Sequence, residues 1–266
     1  MKYLAFTYLT ILLLTNCKST NNQEKPIQNP YQQENTALSY SSDVNYQLWS
    51  KGVDYHAFGE NPDWILDIDF DNVAYLQLDG KQHKFSIDNL YIKEEENKVQ
   101  YMAFTSDSGL MLEILNMACE PGTTNIKRYS STIQVMDKQG KSIEVTGCGN
   151  YIPNYGLNDI YVLDSVPGFE FVPGSFTQGM PYLELHVREM KFMGHDGCNN
   201  ISGTFINELD RLEFGNFITT KMFCSTNPQF DFLTELAKVR SFEHRKPRLI
   251  FLDEYGQVVL TLKKVD

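Results

Sequence analysis

Strict alternation of apolar and polar residues is the feature that most narrows what this chain folds into. A strand places successive side chains on opposite faces, so a period of two predicts a half-buried β-strand. Further alternating runs flank Asp79-Gly80, a dipeptide typical of tight hairpin turns, and the turn Asp137–Gly140. The clearest run is DWILDIDFD, with apolar residues on one face and aspartates on the other: Trp64, Leu66, Ile68, Phe70 and Asp67, Asp69, Asp71.

These runs predict a mainly β, or α+β, protein with two small domains. Residues 49–153 show no long helical period and are predicted to be all-β, antiparallel and barrel-like. After the turn-rich stretch GNYIPNYGLND, residues 157–266 are predicted to combine an antiparallel sheet with one helix at about 228–240. Asn227 would be the N-cap of that helix, and Pro228 would occupy its first position.

The first 48 residues are predicted to precede both domains. Lys2 and the apolar run YLAFTYLTILLLT match a secretory signal peptide and are too short to span a bilayer. Leu14-Thr15-Asn16-Cys17 resembles the lipobox of bacterial lipoproteins, although Asn16 is unusual there. The resemblance implies cleavage after residue 16 and diacylglycerol and palmitate on Cys17. An ordinary signal peptide is the alternative. Residues 17–48, rich in Asn, Gln, Ser and Pro, are predicted to be a disordered tether.

The cysteine count agrees with export. If Cys17 carries the lipid, four cysteines remain, and an oxidising compartment favours disulfides between them. Four cysteines permit three pairings, of which the spacing favours Cys119–Cys148 and Cys198–Cys224. A zinc site is the alternative, but C-x-x-C and H-x-x-x-H spacings are lacking in the sequence. No cofactor or metal is expected.

Charge excludes one class of partner. The chain has 23 basic and 34 acidic residues and a net charge of −11, which disfavours nucleic acid and attracts cationic proteins or peptides. An acidic, merely soluble exported protein is the plainer interpretation.

The stretch GHDGCNN, residues 194–200, contains residue types that serve in catalysis and also in turns. The sequence lacks H-E-x-x-H, G-x-S-x-G and the glycine-rich nucleotide motifs. Gly197, Asn199 and their neighbours tolerate a left-handed backbone, and Cys198 is expected in a disulfide. A turn is therefore predicted, with no catalytic residue. The aspartates of DWILDIDFD fail as a calcium loop, because Asn72 and Leu78 occupy its glycine and glutamate positions.

Five segments of the second half carry a family resemblance: PYLELHV, GHDGCNNISGTF, LEFGNFITTKMFC, FDFLTELAKV and LIFLDEYGQVVLTL. Together they resemble the META-domain family over residues 157–266. The most specific pieces are Gly197-Cys198-Asn199 and Thr220–Cys224, while Tyr161 stands where the family usually has tryptophan. The resemblance implies a small α+β domain of exported proteins without established catalysis, as in the heat-inducible bacterial lipoprotein associated with novobiocin resistance.

The first half carries a looser resemblance. YHAFGENPDWILDI has a G-x-x-P-x-W pattern at Gly59, Pro62 and Trp64, and RYSSTIQV and GCG follow later. These segments resemble an uncharacterised domain of bacterial envelope lipoproteins that is distantly similar to inhibitors of c-type lysozyme.

The sequence therefore predicts a non-catalytic lipoprotein anchored in the cell envelope, at the outer membrane, on its periplasmic or surface face. Its expected role is to bind a protein or peptide, such as a cationic hydrolase, in envelope stress tolerance. The alternatives are an envelope hydrolase that uses Asp67 or Asp69 with a histidine, and a structural or assembly module.

Overall fold

The computed structural model describes residues 44–87, 90–119, 126–171, 175–176, 178–224 and 230–265. The predicted fold class is confirmed, since the protein is mainly β, with an antiparallel sheet in each half and a helix in the second. All described residues belong to one compact unit, Leu38–Asp266.

The first sheet has nine antiparallel strands in the order β4-β3-β2-β1-β9-β8-β7-β6-β5. The Asp79-Gly80 turn forms as predicted, with positive φ angles at both residues, 48° and 73°. The strands are β1 Tyr55–Gly59, β2 Trp64–Asp69, β3 Val73–Leu78, β4 Lys81–Ser86, β5 Tyr91–Glu95, β6 Lys98–Phe104, β7 Ser108–Ala118, β8 Tyr129–Asp137 and β9 Ser142–Tyr151.

The sheet curls, so that one face becomes the core. In β2 the apolar residues of the alternating run are buried and the aspartates lie on the outer face. Trp64, only 2% exposed, fits because Gly59 and Gly147 have no side chains where its indole lies. The curl also brings Cα atoms of the edge strand β4 within 8 Å of β6. The sheet is thus barrel-like without being closed.

The second sheet is a closed antiparallel barrel, because its last strand pairs with its first. Alternate side chains fill its interior, as in other small barrels. The strands are β10 Ile160–Ser165, β11 Tyr182–His186, β12 Lys191–His195, β13 Asn200–Glu208, β14 Arg211–Thr219, β15 Ser241–Arg245, β16 Arg248–Leu252 and β17 Val258–Lys264.

The helix of this half is shorter than predicted. It spans Phe232–Lys238, and Asp231 is its N-cap, because the Asp231 carboxylate accepts hydrogen bonds from two backbone N–H groups of the first turn. Asn227 and Pro228 lie outside the described residues. The helix buries Phe232 and Leu236, and it packs against β14 and β17.

A further helix lies where the sequence predicts the end of the tether. Residues 44–50 are helical, and we name this helix α1 and the Phe232–Lys238 helix α2. The rings of Tyr46 and Trp49 pack on Tyr155, with centroids 5.4 and 5.8 Å away. The predicted signal peptide, Cys17 and residues 17–43 of the tether lie outside the described residues. Within the described part of the chain, no helix is long and apolar enough to cross a membrane.

Candidate functional site

Both predicted disulfides are confirmed. Cys119 pairs with Cys148, with Cα atoms 5.5 Å apart, and Cys198 pairs with Cys224, with Cα atoms 6.1 Å apart. Each bond joins positions within one half of the chain, so the cysteines staple the two sheets separately. The bonded thiols are unavailable as nucleophiles.

The GHDGCNN stretch forms a tight turn between β12 and β13. Strand β12, which the sequence analysis did not separate, ends at His195. The Asp196 carboxylate then accepts hydrogen bonds from the N–H groups of Cys198 and Asn199, at 2.8 and 2.6 Å. Gly197 has φ of +95°, which favours glycine. The polar side chains are therefore engaged in holding the turn.

The same turn holds the segment Thr220–Cys224. The Asn199 side-chain oxygen accepts hydrogen bonds from the Met222 N–H at 2.7 Å and from the Thr220 hydroxyl at 3.2 Å. With the Cys198–Cys224 disulfide, these bonds fix the two most specific motifs of the second half to each other. An open cleft of 710 Å³ lies beside these two motifs. Its lining also includes Phe176, Phe230 and Leu233.

His195 lies within the fold. It is 7% exposed, and its ring lies parallel to that of Tyr182. Its Nδ1 accepts a hydrogen bond from the Gly197 N–H at 2.9 Å. This bond engages the imidazole in holding the turn.

One histidine does meet an aspartate of the alternating run. His56 on β1 lies opposite Asp67 on β2, and His56 Nδ1 is 2.6 Å from Asp67 Oδ1. Both side chains lie on the outer face of the sheet and are partly exposed. The other aspartate of β2, Asp69, accepts a hydrogen bond from the backbone N–H of Asp71. Among the described residues, no group of three or more His, Cys, Asp or Glu side chains is placed to hold a metal ion.

A second cleft, of 290 Å³, lies between one end of the first sheet and the β13–β14 turn. Its walls include Tyr101, Tyr129 and Tyr151, from the core-facing side of β6, β8 and β9. We name this cleft the tyrosine mouth. The hydroxyl groups converge within it, because Tyr101 and Tyr151 have hydroxyl oxygens 3.5 Å apart and the Tyr129 hydroxyl donates to Glu208 Oε1 at 2.5 Å.

Burial keeps these phenols neutral. Removal from water raises the pKa of Tyr129 and Tyr151 well above the ordinary value, and Glu208 raises both further. Tyr55, whose hydroxyl lies 2.7 Å from the Ser131 hydroxyl behind the mouth, has a pKa raised by burial in the same way. The mouth therefore offers neutral hydroxyl groups at any physiological pH.

The rim of the tyrosine mouth is acidic. Glu94, Glu95 and Glu96 follow one another at the β5–β6 turn, and Glu95 pairs with Lys93 and Lys98. Glu94 and Glu96 make no ion pair with any described residue. On the opposite rim, Arg211 pairs with Glu208 and Glu213. Each rim has more carboxylates than cations.

A buried asparagine holds the β13–β14 turn against this mouth. Asn207, 2% exposed, accepts a hydrogen bond from the Asn154 N–H at 2.7 Å and donates to the carbonyl groups of Leu209 and Arg211, at 3.1 Å each. Its hydrogen-bonding groups are thereby satisfied although it is buried. The turn includes Leu209 with a positive φ of 55°, a conformation that needs such support.

Sequence reasoning missed the tyrosine mouth. Its residues come from seven strands and two turns, so no local motif marks it. One signal was present in β13, where Asn207 follows the inward-facing Phe205 at a spacing of two and replaces an expected apolar residue.

Comparison with known families gives a match in the second half. Residues 157–266 match the family model of the META domain. The matched region begins just before the barrel and contains all eight of its strands, the GHDGCNN turn and α2. A comparison with curated proteins finds no match.

Proposed function

We propose that this chain is a non-catalytic, lipid-anchored module of the bacterial cell envelope that binds a cationic partner at the tyrosine mouth. The mouth itself carries the proposal. It is concave, its walls are aromatic, its hydroxyl groups converge, and two carboxylates on its rim have no partner among the described residues. Small pockets with apolar walls and a few placed polar groups are the usual form of binding sites.

Charge selects the class of ligand. The rim carboxylates Glu94 and Glu96 attract a positive group, and the net charge of −11 steers it from a distance. The partner is therefore a basic protein or peptide. A basic hydrolase such as a c-type lysozyme, or a cationic antimicrobial peptide, has this chemistry, and capture of either would give tolerance to envelope stress.

The envelope location rests on the META-domain match, which supports an envelope-associated module, and on the lipobox-like Leu14–Cys17 segment. A diacylated Cys17 would anchor the chain, and the polar segment that follows would hold the two sheets off the membrane surface.

Binding is tested by titrating the purified protein with a basic c-type lysozyme at increasing salt. We expect binding that weakens with salt, and a loss of affinity of about fivefold in the double variant Glu94→Gln/Glu96→Gln. The matched control is Glu144→Gln/Glu254→Gln, which removes the same charge at exposed positions away from the mouth. Equal losses in the two variants, or no salt-sensitive binding, would refute the proposed site.

The anchor is tested by mass spectrometry of the membrane fraction. We expect a diacylglycerol on Cys17, and a Cys17→Ser variant that leaves the membrane fraction. An intact N-terminus, or cleavage at another residue without lipid, would exclude the lipoprotein.

A second candidate, an envelope hydrolase, is favoured by the hydrogen-bonded pair of His56 and Asp67. Asp67 would orient the imidazole as a general base. This candidate predicts that any hydrolytic activity of the protein on cell-wall or peptide substrates falls by orders of magnitude in Asp67→Asn. An equal rate in Asp67→Asn and the unmodified protein would eliminate it.

A further inference from the structure

Strand β5 is the exposed edge of the first sheet. Among the described strands it pairs only with β6, and all five of its residues are solvent-exposed, including Tyr91 at 58% and Ile92 at 50%. The other edge strand, β4, approaches β6 through the curl, and the barrel has no edges. An edge of this kind presents unpaired N–H and C=O groups to a partner strand.

The apolar layer of the core runs out to this edge. Residues in register across the sheet form one row on the concave face, and every member is buried except the last, at β5: Val145, Ile133, Leu112, Tyr101 and Ile92. An added strand would cover Ile92 with a side chain in the same row. Because alternate residues share a face, Glu94 lies beside Ile92 and enters the lining of the tyrosine mouth.

The backbone groups at these positions face outward. Glu95 lies opposite Lys98 across the two-residue turn Glu96-Asn97, and such a flanking pair is hydrogen-bonded. Antiparallel pairs alternate, so Ile92 and Glu94 fall at positions whose N–H and C=O groups point away from β6. The free edge therefore presents main-chain groups beside one apolar and one acidic side chain.

Charge decides between two occupants of this edge. A second copy would bring the same strand, which has more carboxylates than lysines and belongs to a chain with a net charge of −11, so it offers Glu94 and Glu96 no net complementary charge. A basic strand would pair with those carboxylates.

From these features we infer that β5 is a docking edge for an extended cationic segment, which adds to the first sheet as a tenth strand. The segment has an apolar residue beside Ile92 and a lysine or arginine beside Glu94, two positions apart on the same face. This mode of recognition takes affinity from main-chain hydrogen bonds and specificity from alternate side chains. The inference rests on the proposed function and names the form in which the cationic partner binds.

The test uses fluorescently labelled peptides with the full-length protein. The Lys/Ile peptide has the repeat Ile-Thr-Lys-Thr, which places isoleucine and lysine two positions apart on one face, and the Glu/Ile peptide has glutamate in place of each lysine. We expect binding of the Lys/Ile peptide, none of the matched Glu/Ile peptide, and a loss of about tenfold or more when alternate backbone amides of the Lys/Ile peptide are methylated. Methylation leaves the charge unchanged and removes the main-chain donors, so equal binding of the two Lys/Ile peptides would overturn strand addition.

Variants locate the edge. Ile92→Pro removes an outward N–H group, Ile92→Val keeps it, Glu94→Lys reverses the charge at the edge, and Glu144→Lys makes the same change on an exposed residue of β9. We expect Ile92→Pro and Glu94→Lys to weaken binding about tenfold relative to their controls. Circular dichroism verifies that each variant is folded.

The outcomes separate this inference from the proposed function. If lysozyme binding depends on Glu94 and Glu96 and Ile92→Pro binds as Ile92→Val does, strand addition is wrong and the cationic site stands. If neither lysozyme nor the Lys/Ile peptide binds, both are wrong. Concentration-dependent dimerisation that Ile92→Pro abolishes would identify a second copy as the occupant and overturn the inference.

Discussion

The two sheets of this protein are both antiparallel and of similar strand number, yet only one is closed. In the barrel the last strand returns to the first, every strand has two neighbours, and the interior is filled with side chains. In the first sheet β4 and β5 remain edges, and the concave face opens at the tyrosine mouth. Closure removes strand edges on which a partner can dock, so the proposed docking edge lies in the half that is left open.

Alkaline titration should separate the two sheets most strongly. In the barrel, burial raises the pKa of Tyr161 to about 12. In the first sheet, burial raises the pKa of four tyrosines: Tyr55, Tyr101, Tyr129 and Tyr151. The folded protein holds these protons more tightly than the unfolded chain. Stability is therefore fully present below pH about 10 and falls above it by about 1.4 kcal/mol per pH unit for each tyrosine.

Three of these tyrosines, Tyr55, Tyr129 and Tyr151, have large shifts and together lose roughly 4 kcal/mol over one pH unit, against about 1.4 kcal/mol for Tyr161 in the barrel. We expect the first sheet to unfold at lower pH than the barrel. Tyrosinate absorbance follows the titration, and hydrogen exchange measured by mass spectrometry assigns the opening to a sheet. Simultaneous opening of both sheets would mean that they form one cooperative unit.

Removal of each disulfide should show how far closure substitutes for a covalent link. The bonds join residues 29 and 26 positions apart, so chain entropy predicts nearly equal losses of roughly 3.5 kcal/mol for Cys119→Ser/Cys148→Ser and Cys198→Ser/Cys224→Ser. Urea unfolding measures both. A much smaller loss in the barrel variant would indicate that strand closure already restricts that loop.

The smallest effect concerns the contact between the two sheets. Tyr129→Phe keeps the ring and removes the hydrogen bond to Glu208, so we expect a loss of about 1.5–3 kcal/mol, as is usual for bonds to charged groups. Tyr161→Phe is the matched control, because its hydroxyl lies 3.5 Å from the neutral Gly156 carbonyl oxygen. If Tyr129→Phe costs no more than this control, the contact contributes little to holding the sheets together.

Local pattern accounts for most of what the sequence predicted correctly. The alternating run of β2 and the Asp79-Gly80 turn depend on neighbouring residues alone, and the structure contains both. The helix was predicted to begin too early, because a capping residue before an apolar run does not decide the first turn, which depends on which residues pack on the barrel. Phe232 and Leu236 supply that packing, which places the cap at Asp231.

By itself, the sequence determined the mainly β class, the hairpin turns and the disulfide partners, since periodicity, turn chemistry and cysteine spacing are short-range properties. The tertiary structure alone decided which sheet closes and that Asn207 fixes the β13–β14 turn. It also decided that the tyrosines of the mouth, from three strands, meet carboxylates at the β5–β6 and β13–β14 turns. Those features arise from pairing between residues far apart in the chain, and their register depends on the whole core.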